Sequence, residues 1–561
     1  MSRRDYKVSE LVGMIERGDL QLPEMQRQYV WTQIKVRDLL DSLYREYPSG
    51  LILTWQAPHD ADVETRSFAV DANRDESTPK LLLLDGQQRL TSLSSILRGE
   101  PVTVKGRKTP VEILFNLDHP DELTFITEVH DEESDDDFDD PEEADLDPMV
   151  KVNQRAFVVH SNPVAALPQW VRVTDVFKKE DVEIIMAAGV TELTDPRYKK
   201  YSTRLQRLRA IKDYVYRAEE LEPSKSYEEV TEIFVRVNSL GAKLRGSDLA
   251  LAQITAKWKG SLSKFESYQA EISKRGFQMD LGVHLRSLIA ATTRQSKFLT
   301  VGSLRQKDLE AGWERSRRAF DYAVDFVTTG IHIDSPTLLS SPLLLITTAF
   351  WADQHGFKIA PEEAAAFRRW FLIANFKGRY SRGSSESVLD QDLAVLRTGG
   401  GAAELIQRLT QQMGRLDFTA ADLEGRTTQS GVFKAMFLIF KQRKAADWAT
   451  SLPISPKIAN KSDKIEFHHI FPKKYLQRSI PGIADAAVND IANLAFISSQ
   501  TNKEITDKDP SHYRSDYPAS ALEAQLVRFD EWGDSSADYE NFKSQRRAAI
   551  VSALNEYVGE A

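Results

Sequence analysis

The sequence predicts a multidomain α+β protein, and three observations lead there. The chain has 561 residues, several times the roughly 100–200 residues over which a single core is usually built. Residues 1–255 mix short apolar runs of strand length with helical spacings, the pattern of an α/β or α+β domain. Past Ser247 strand signals become scarce and helical spacing takes over. With 41% hydrophobic and 28% charged residues, the composition is that of an ordinary globular chain with enough apolar material for sizeable cores.

Taken in order, "LILTW" (51–55), "KLLLLDG" (80–86) and "VEILFNL" (111–117) are the strand candidates of the front. The run "LLLLDGQQRLTSLSSILRG" predicts a buried strand over 81–84 and a tight Asp-Gly turn. A helix follows, carrying Leu90, Leu93 and Leu97 on one face and stopping at Gly99. Val230, Ile233, Phe234 and Val237 make a helical core face ending near Gly241, and Ser247 is placed to cap "DLALAQITAKW". Helical spacing continues in "AFRRWFLIANF" (366–376) and "GVFKAMFLIFKQRK" (431–444), with a break at Gly399–Gly401. These signals divide the chain into 1–255, a helical connecting domain over 256–415, and a tail over 416–561; no internal repeat of fixed period is present.

The net charge of −10 is misleading about partners, because the acids are concentrated. Residues 131–147, "DEESDDDFDDPEEADLD", hold twelve acidic residues and no basic one, and removing those twelve turns −10 into +2. Such a block repels itself and stays solvated as an acidic loop; the sharper reading is a DNA mimic that occupies a basic groove. No apolar run approaches the roughly 18 residues that cross a bilayer, and no hydrophobic stretch follows "MSRRDYKVSE", so the expectation is a cytoplasmic protein without a membrane partner. Cysteine is absent, which excludes disulfides and thiolate metal sites and leaves His, Asn, Asp, Glu or water to hold any metal.

The densest chemistry lies in the tail. In "EFHHIFPKKYL" (466–476), Phe467, Ile470 and Phe471 read as a short strand entering a loop, ended by Pro472. In "NLAFISSQTNKEI", Asn493 to Ile497 read as a second strand, and Ser498 to Thr501 supply helix-capping chemistry with Glu504 three residues after Thr501. Neighbouring strand residues point to opposite sides, so His468 and His469 can do different jobs. Hydrolysis of a phosphodiester needs a base for the attacking water and a cation for the phosphate charge. Imidazole suits the first task near neutral pH. Asn502, on the helix, can share a cation with the other histidine while leaving positions open. Lys457, Lys461, Lys464, Lys473, Lys474 and Arg478 flank the pair and suit phosphate contacts.

This ordered set resembles the HNH endonucleases, whose fold is the ββα-metal unit. The resemblance implies that His468 is a metal ligand, His469 the general base, Asn493 the brace of the loop and Asn502 the second ligand, with Mg²⁺, Mn²⁺, Ni²⁺ or Zn²⁺ as the ion. At the front, the helix after Gly86 offers free N–H groups to an anion and Arg89 adds a fixed charge. Together with "LPEMQRQYVW" (22–31) and "EIFVRVNSLGAKL" (232–244), "DGQQR" resembles the N-terminal half of the GmrSD family of modification-dependent, type IV restriction enzymes, related in fold to ParB and sulfiredoxin. That resemblance covers roughly residues 10–255, and "FKGRYSRGSSESVLDQDL" (376–393) also looks like this family.

The resemblance implies a nucleoside triphosphate with Mg²⁺ bound, and hydrolysed, at Asp85, Gly86, Gln87, Gln88, Arg89, Arg236 and Asn238. Gln26, Arg27, Tyr29 and Trp31 would belong to the same cleft or to a face that senses DNA or its modification, with core packing an equal reading for Trp31; Lys473 and Lys474 would touch DNA. The implied protein is a single-chain fusion of the two GmrSD halves. It would be an NTP- and metal-dependent endonuclease of anti-phage defence that cuts or nicks DNA carrying a modified base or backbone. The phosphorothioate-sensing SspE proteins are similar in this two-module plan. A homo-oligomer is compatible with the plan, and the competing expectation is an NTP-switched DNA-binding protein that does not cut.

Overall fold

In the computed structural model, residues 2–24, 31–58, 65–66, 81–104, 110–121, 152–240, 245–381, 384–455 and 464–559 are described. They divide into two units, Met1–Leu262 and Ser263–Ala561.

The apolar runs of the first unit assemble into a six-stranded mixed sheet. Its strands are β1 (Ser2–Lys7), β2 (Leu20–Pro23), β3 (Ile52–Gln56), β4 (Thr65–Arg66), β5 (Leu81–Asp85) and β9 (Val215–Leu221), in the order β1-β9-β3-β5-β2-β4. β5 explains the run of four leucines. Leu81 and Leu83 enter one core, with helices Val8–Arg17, Gln33–Tyr44 and Gln87–Leu97, while Leu82 and Leu84 enter a second core with Trp55, Val230 and Phe234. A strand covered on both faces has no need of polar alternation. A smaller antiparallel sheet of β6 (Ile113–Asn116), β7 (Phe157–Val159) and β8 (Trp170–Arg172) runs in the order β7-β6-β8.

Two local expectations need correction. Val237 is 47% exposed and leaves the core face of helix Tyr227–Leu240, where Val230 and Phe234 are buried and Tyr227, Ile233 and Val235 pack beside them. The residue preceding helix Gly246–Lys257 is Arg245, in extended backbone, and Ser247 lies inside the first turn instead of capping it. Gly241 and the acidic stretch 131–147 lie outside the described residues.

In the second unit, helix Leu343–Gln354 is buried continuously from Leu344 to Ala352. A helix without a polar face belongs in the middle of a bundle, and it packs against Leu281–Thr293, Gln306–Asp325 and Ser385–Arg397. The "GRYS" stretch serves this core. Arg379 and Asp392 form a buried bidentate ion pair, joined by the Tyr380 hydroxyl at 2.7 Å. Gly399–Gly401 separate helices Ser385–Arg397 and Ala402–Met413 as expected.

Near its end this unit builds an antiparallel hairpin of β10 (Ile465–His469) and β11 (Leu494–Ser498), followed by helix Ser499–Ile505. Helix Gly431–Gln442, capped by Ser430, supports the hairpin from below: Phe433, Phe437 and Phe440 all meet the Phe496 ring. The outer edge of β11 is closed by side chains. Gln525 accepts from the Phe496 N–H and donates to its carbonyl, both at 2.8 Å, in place of a further strand. Arg546, fully buried, donates to the carbonyls of Ala492, Leu494, Gln525 and Leu526. Among the described residues, no helix is long and apolar enough to cross a membrane.

Candidate functional site

The hairpin ends where the two histidines stand. His468, opposite Ala495, is 2% exposed and its ring lies against Trp448 and Tyr513, edge to face. His469, opposite Leu494, is the last residue of β10. The chain then turns, and Asn493 braces the turn. Its amide oxygen accepts from the Phe471 N–H at 2.9 Å, and its NH₂ group donates to the carbonyls of Phe471 (3.1 Å) and Val488 (3.0 Å). Asn493 itself ends a 3₁₀ turn, Ile491–Asn493, one residue ahead of the strand expected to begin with it. The strand is shorter than expected: it ends at His469, so Ile470 and Phe471 lie in the turn, and Pro472 does not end the strand but caps helix Lys473–Ser479.

The helix after β11 starts on its own chemistry. The Ser498 hydroxyl accepts from the Thr501 N–H, while Glu504 pairs with Gln500 instead of closing the cap. Asp447 pins this junction from a distance. Its carboxylate accepts from the Ser498 N–H at 2.6 Å and from the Thr501 hydroxyl at 2.8 Å, and it also takes the Thr450 N–H. Burial pushes this carboxyl up, but those donors outweigh it and hold the group below the usual range.

So fixed, the helix presents Asn502 to His468. Asn502 Oδ1 is 2.9 Å from His468 Nδ1. Asn502 Nδ2 donates to Glu466 Oε2 at 2.8 Å, which turns the amide oxygen toward the imidazole. Glu466 and His468 are two apart on β10 and therefore share a face. Burial lowers the His468 ring to about 4, leaving it neutral at pH 7, and its Nε2 is buried without a hydrogen-bond partner among the described residues. Burial likewise lowers His469, against the hydrogen bond from its Nε2 to Asn489 Oδ1 at 3.0 Å.

A pocket of about 230 Å³ opens here, lined by Phe467, His468, His469, Lys473, Lys474 and Asn502 among others. Lys473 pairs with Asp485 at 3.3 Å, and Arg478 with Asp507 at 3.0 Å. In this arrangement His468 Nδ1–H donates to Asn502 Oδ1. A divalent ion taking the place of that hydrogen, with the ring N–H moved to Nε2, would meet an imidazole nitrogen and an amide oxygen 2.9 Å apart beside an open pocket and keep water in its other positions. Among the described residues, no group of three or more His, Cys, Asp or Glu side chains is placed to hold a metal. Sequence reading missed Glu466, Asn489 and Asp447. Only Glu466 carried a signal, an acid two residues before a histidine on a strand.

At the front, helix Gln87–Leu97 begins at Gly86, whose φ of 101° is a left-handed conformation that suits glycine. The Arg89 guanidinium faces the protein: it donates to the carbonyls of Ser49 and Leu51, the latter at 2.6 Å, and lies 3.3 Å from Asp85. Gly50, with φ of 96°, leaves room for it, since a Cβ there would meet Arg89 Nη1. Gln88 Oε1 accepts from the Trp31 N–H at 3.1 Å, and Trp31 packs against the core, so the two front motifs meet. Arg236 is exposed and pairs with Glu232 at 2.7 Å. Gln26, Arg27, Tyr29, Lys457, Lys461 and the Asn238 side chain lie outside the described residues.

Comparison with known proteins supplies the class. The chain matches restriction endonuclease domains at both ends: the N-terminal domain of the GmrSD restriction endonuclease over 8–255, and the C-terminal domain of GmrSD restriction endonucleases over 415–541. It is therefore a restriction-type DNA endonuclease, with DNA as its partner. The two matches span most of the chain, and the protein belongs to the GmrSD family, with both domains carried on one polypeptide. It is also similar to the uncharacterized protein MJ0686 of Methanocaldococcus jannaschii, with 23% identity covering 91% of this chain and 87% of that one.

Proposed function

We propose that the protein is an NTP-dependent, metal-dependent DNA endonuclease that nicks or cuts foreign DNA bearing a modified base or backbone. Its nuclease centre in this reading is an HNH-type ββα-metal unit over 465–505, and its front is a ParB/sulfiredoxin-like NTPase module. The observation that carries the reading is the 2.9 Å approach of Asn502 Oδ1 to His468 Nδ1, with His469 next on the strand.

In this reading His468 and Asn502 hold the ion, which when bound stabilises negative charge on the phosphate and the leaving oxygen. Glu466 keeps the Asn502 oxygen aimed at that position. His469, half-buried at the pocket edge, accepts the proton of the attacking water. Its lowered proton affinity keeps it in the accepting form at neutral pH. Asn493 holds the turn that sets the His469 position. Lys474, exposed at the pocket, contacts the DNA backbone. For the front, the helix start at Gly86 and the Gln88–Trp31 link support a nucleotide turn beside a sensing segment.

The test is cleavage of matched plasmids that are plain, glucosylated or phosphorothioated, with Mg²⁺, Mn²⁺, Ni²⁺ or Zn²⁺ and with or without ATP or GTP. Wild type should nick a modified plasmid and His469→Ala should lose at least about a hundredfold of that rate. Equal cutting by both proteins removes His469 as the base. Binding without cutting under every metal and nucleotide replaces the endonuclease with an NTP-switched DNA-binding protein.

A further inference from the structure

A histidine that takes a proton from water needs its lone pair, not its N–H, on the reacting side, and the partner of the other ring nitrogen decides which side that is. His469 has such a partner. Its Nε2 lies 3.0 Å from Asn489 Oδ1, and an amide oxygen only accepts, so in this arrangement Nε2 carries the hydrogen and Nδ1 keeps the lone pair.

Asn489 is exposed, yet the backbone that presents it is held on both sides. Its own N–H donates to Asp485 O at 2.9 Å, ending helix Asp485–Val488. On one side the Val488 carbonyl receives the Asn493 amide; on the other Asp490 caps Ala492 and pairs with Arg547. Asp485 also meets Lys473 on the rim of the same pocket. A polar side chain offered by a braced turn to a ring at the pocket edge differs from a mobile surface residue.

We propose that Asn489 is the positioning residue of His469: it receives the Nε2 hydrogen and so fixes both the ring plane and the tautomer that leaves Nδ1 basic. This rests on the nuclease reading of the site, and it adds a role to a residue outside the His468, His469, Asn493, Asn502 set. An orienting partner of this kind changes turnover without touching substrate, as the third member of a hydrolase triad does.

The experiment reads the tautomer and the rate separately. In ¹⁵N-labelled, metal-free protein at alkaline pH, the His469 imidazole signals, assigned by their loss in His469→Gln, should report the Nε2–H form. Asn489→Ala should mix the two tautomers and lower kcat about 10- to 100-fold with KM for DNA unchanged. Asn489→Asp, which keeps an acceptor, should restore the tautomer and most of the rate. A wild-type Nδ1–H form, or an Asn489→Ala protein with unchanged tautomer and kcat, overturns the assignment. Should no DNA be cut while the tautomer responds to Asn489→Ala, the nuclease reading fails and the Asn489–His469 link stands.

Discussion

Asn493→Ala is the perturbation whose size the structure defines best. Asn493 is fully buried and makes three hydrogen bonds, to the N–H and carbonyl of Phe471 and to the carbonyl of Val488. Phe471 and Val488 are themselves fully buried, so water does not replace the lost partner. Each buried backbone group left unpaired costs about 1–3 kcal/mol, and three of them with partial relaxation give about 3–6 kcal/mol. The assay is equilibrium urea unfolding of the full chain, followed by circular dichroism, in parallel with plasmid cleavage. The transition of the unit that holds the hairpin should move to lower urea by that free energy. Cleavage by the remaining folded protein should also fall, because the turn that carries the chain away from His469 has lost its brace. Asn493→Asp keeps only the acceptor and sets a carboxylate against two carbonyls, so it should be no better. A loss below about 1 kcal/mol with cleavage intact would refute the reasoning.

Three further outcomes follow from other contacts. Glu466→Ala removes the acceptor that aims the Asn502 amide, and divalent-metal affinity measured by calorimetry should drop about 10- to 100-fold while the fold survives. Arg89→Lys gives up the fork that reaches the Ser49 and Leu51 carbonyls; it should cost about 2 kcal/mol of stability, whereas unchanged stability with lost nucleotide binding would make Arg89 a ligand instead of a clamp. His284 is buried between Tyr268 and Phe320 with neither ring nitrogen partnered among the described residues, and burial lowers it from 6.5 to about 4. Between those two values the unfolded chain binds the proton and the folded one does not, so stability falls as pH drops through that window, by about 3 kcal/mol in full. His284→Leu should flatten that part of the urea-midpoint profile against pH; a profile as steep as wild type would count against it.

What the sequence made legible, and what it hid, differ in range. Strand alternation, the capping residues Ser498 to Thr501 and the ordered likeness to HNH endonucleases were enough to put His468, His469, Asn493 and Asn502 on a strand–turn–strand–helix unit, because each of those signals lies within one short stretch. The four leucines of β5 were read as buried, although only the fold reveals that they feed two cores on opposite faces. Asp447 was invisible because its acceptors are matched to donors 51 and 54 residues away, and an aspartate by itself carries no record of that distance. Arg89 shows the same point from the other direction. A cation at the start of a helix after a glycine turn suggests an anion ahead of it, but the side chain's direction is decided by the carbonyls at Ser49 and Leu51 and by the absence of a Cβ at Gly50. Charge and helix position are properties of a residue and its neighbours, while aim belongs to whatever distant backbone has unpaired groups to offer. That is why the Arg89→Lys comparison, which separates stability from nucleotide binding, tests the front of the molecule more sharply than another reading of its motif.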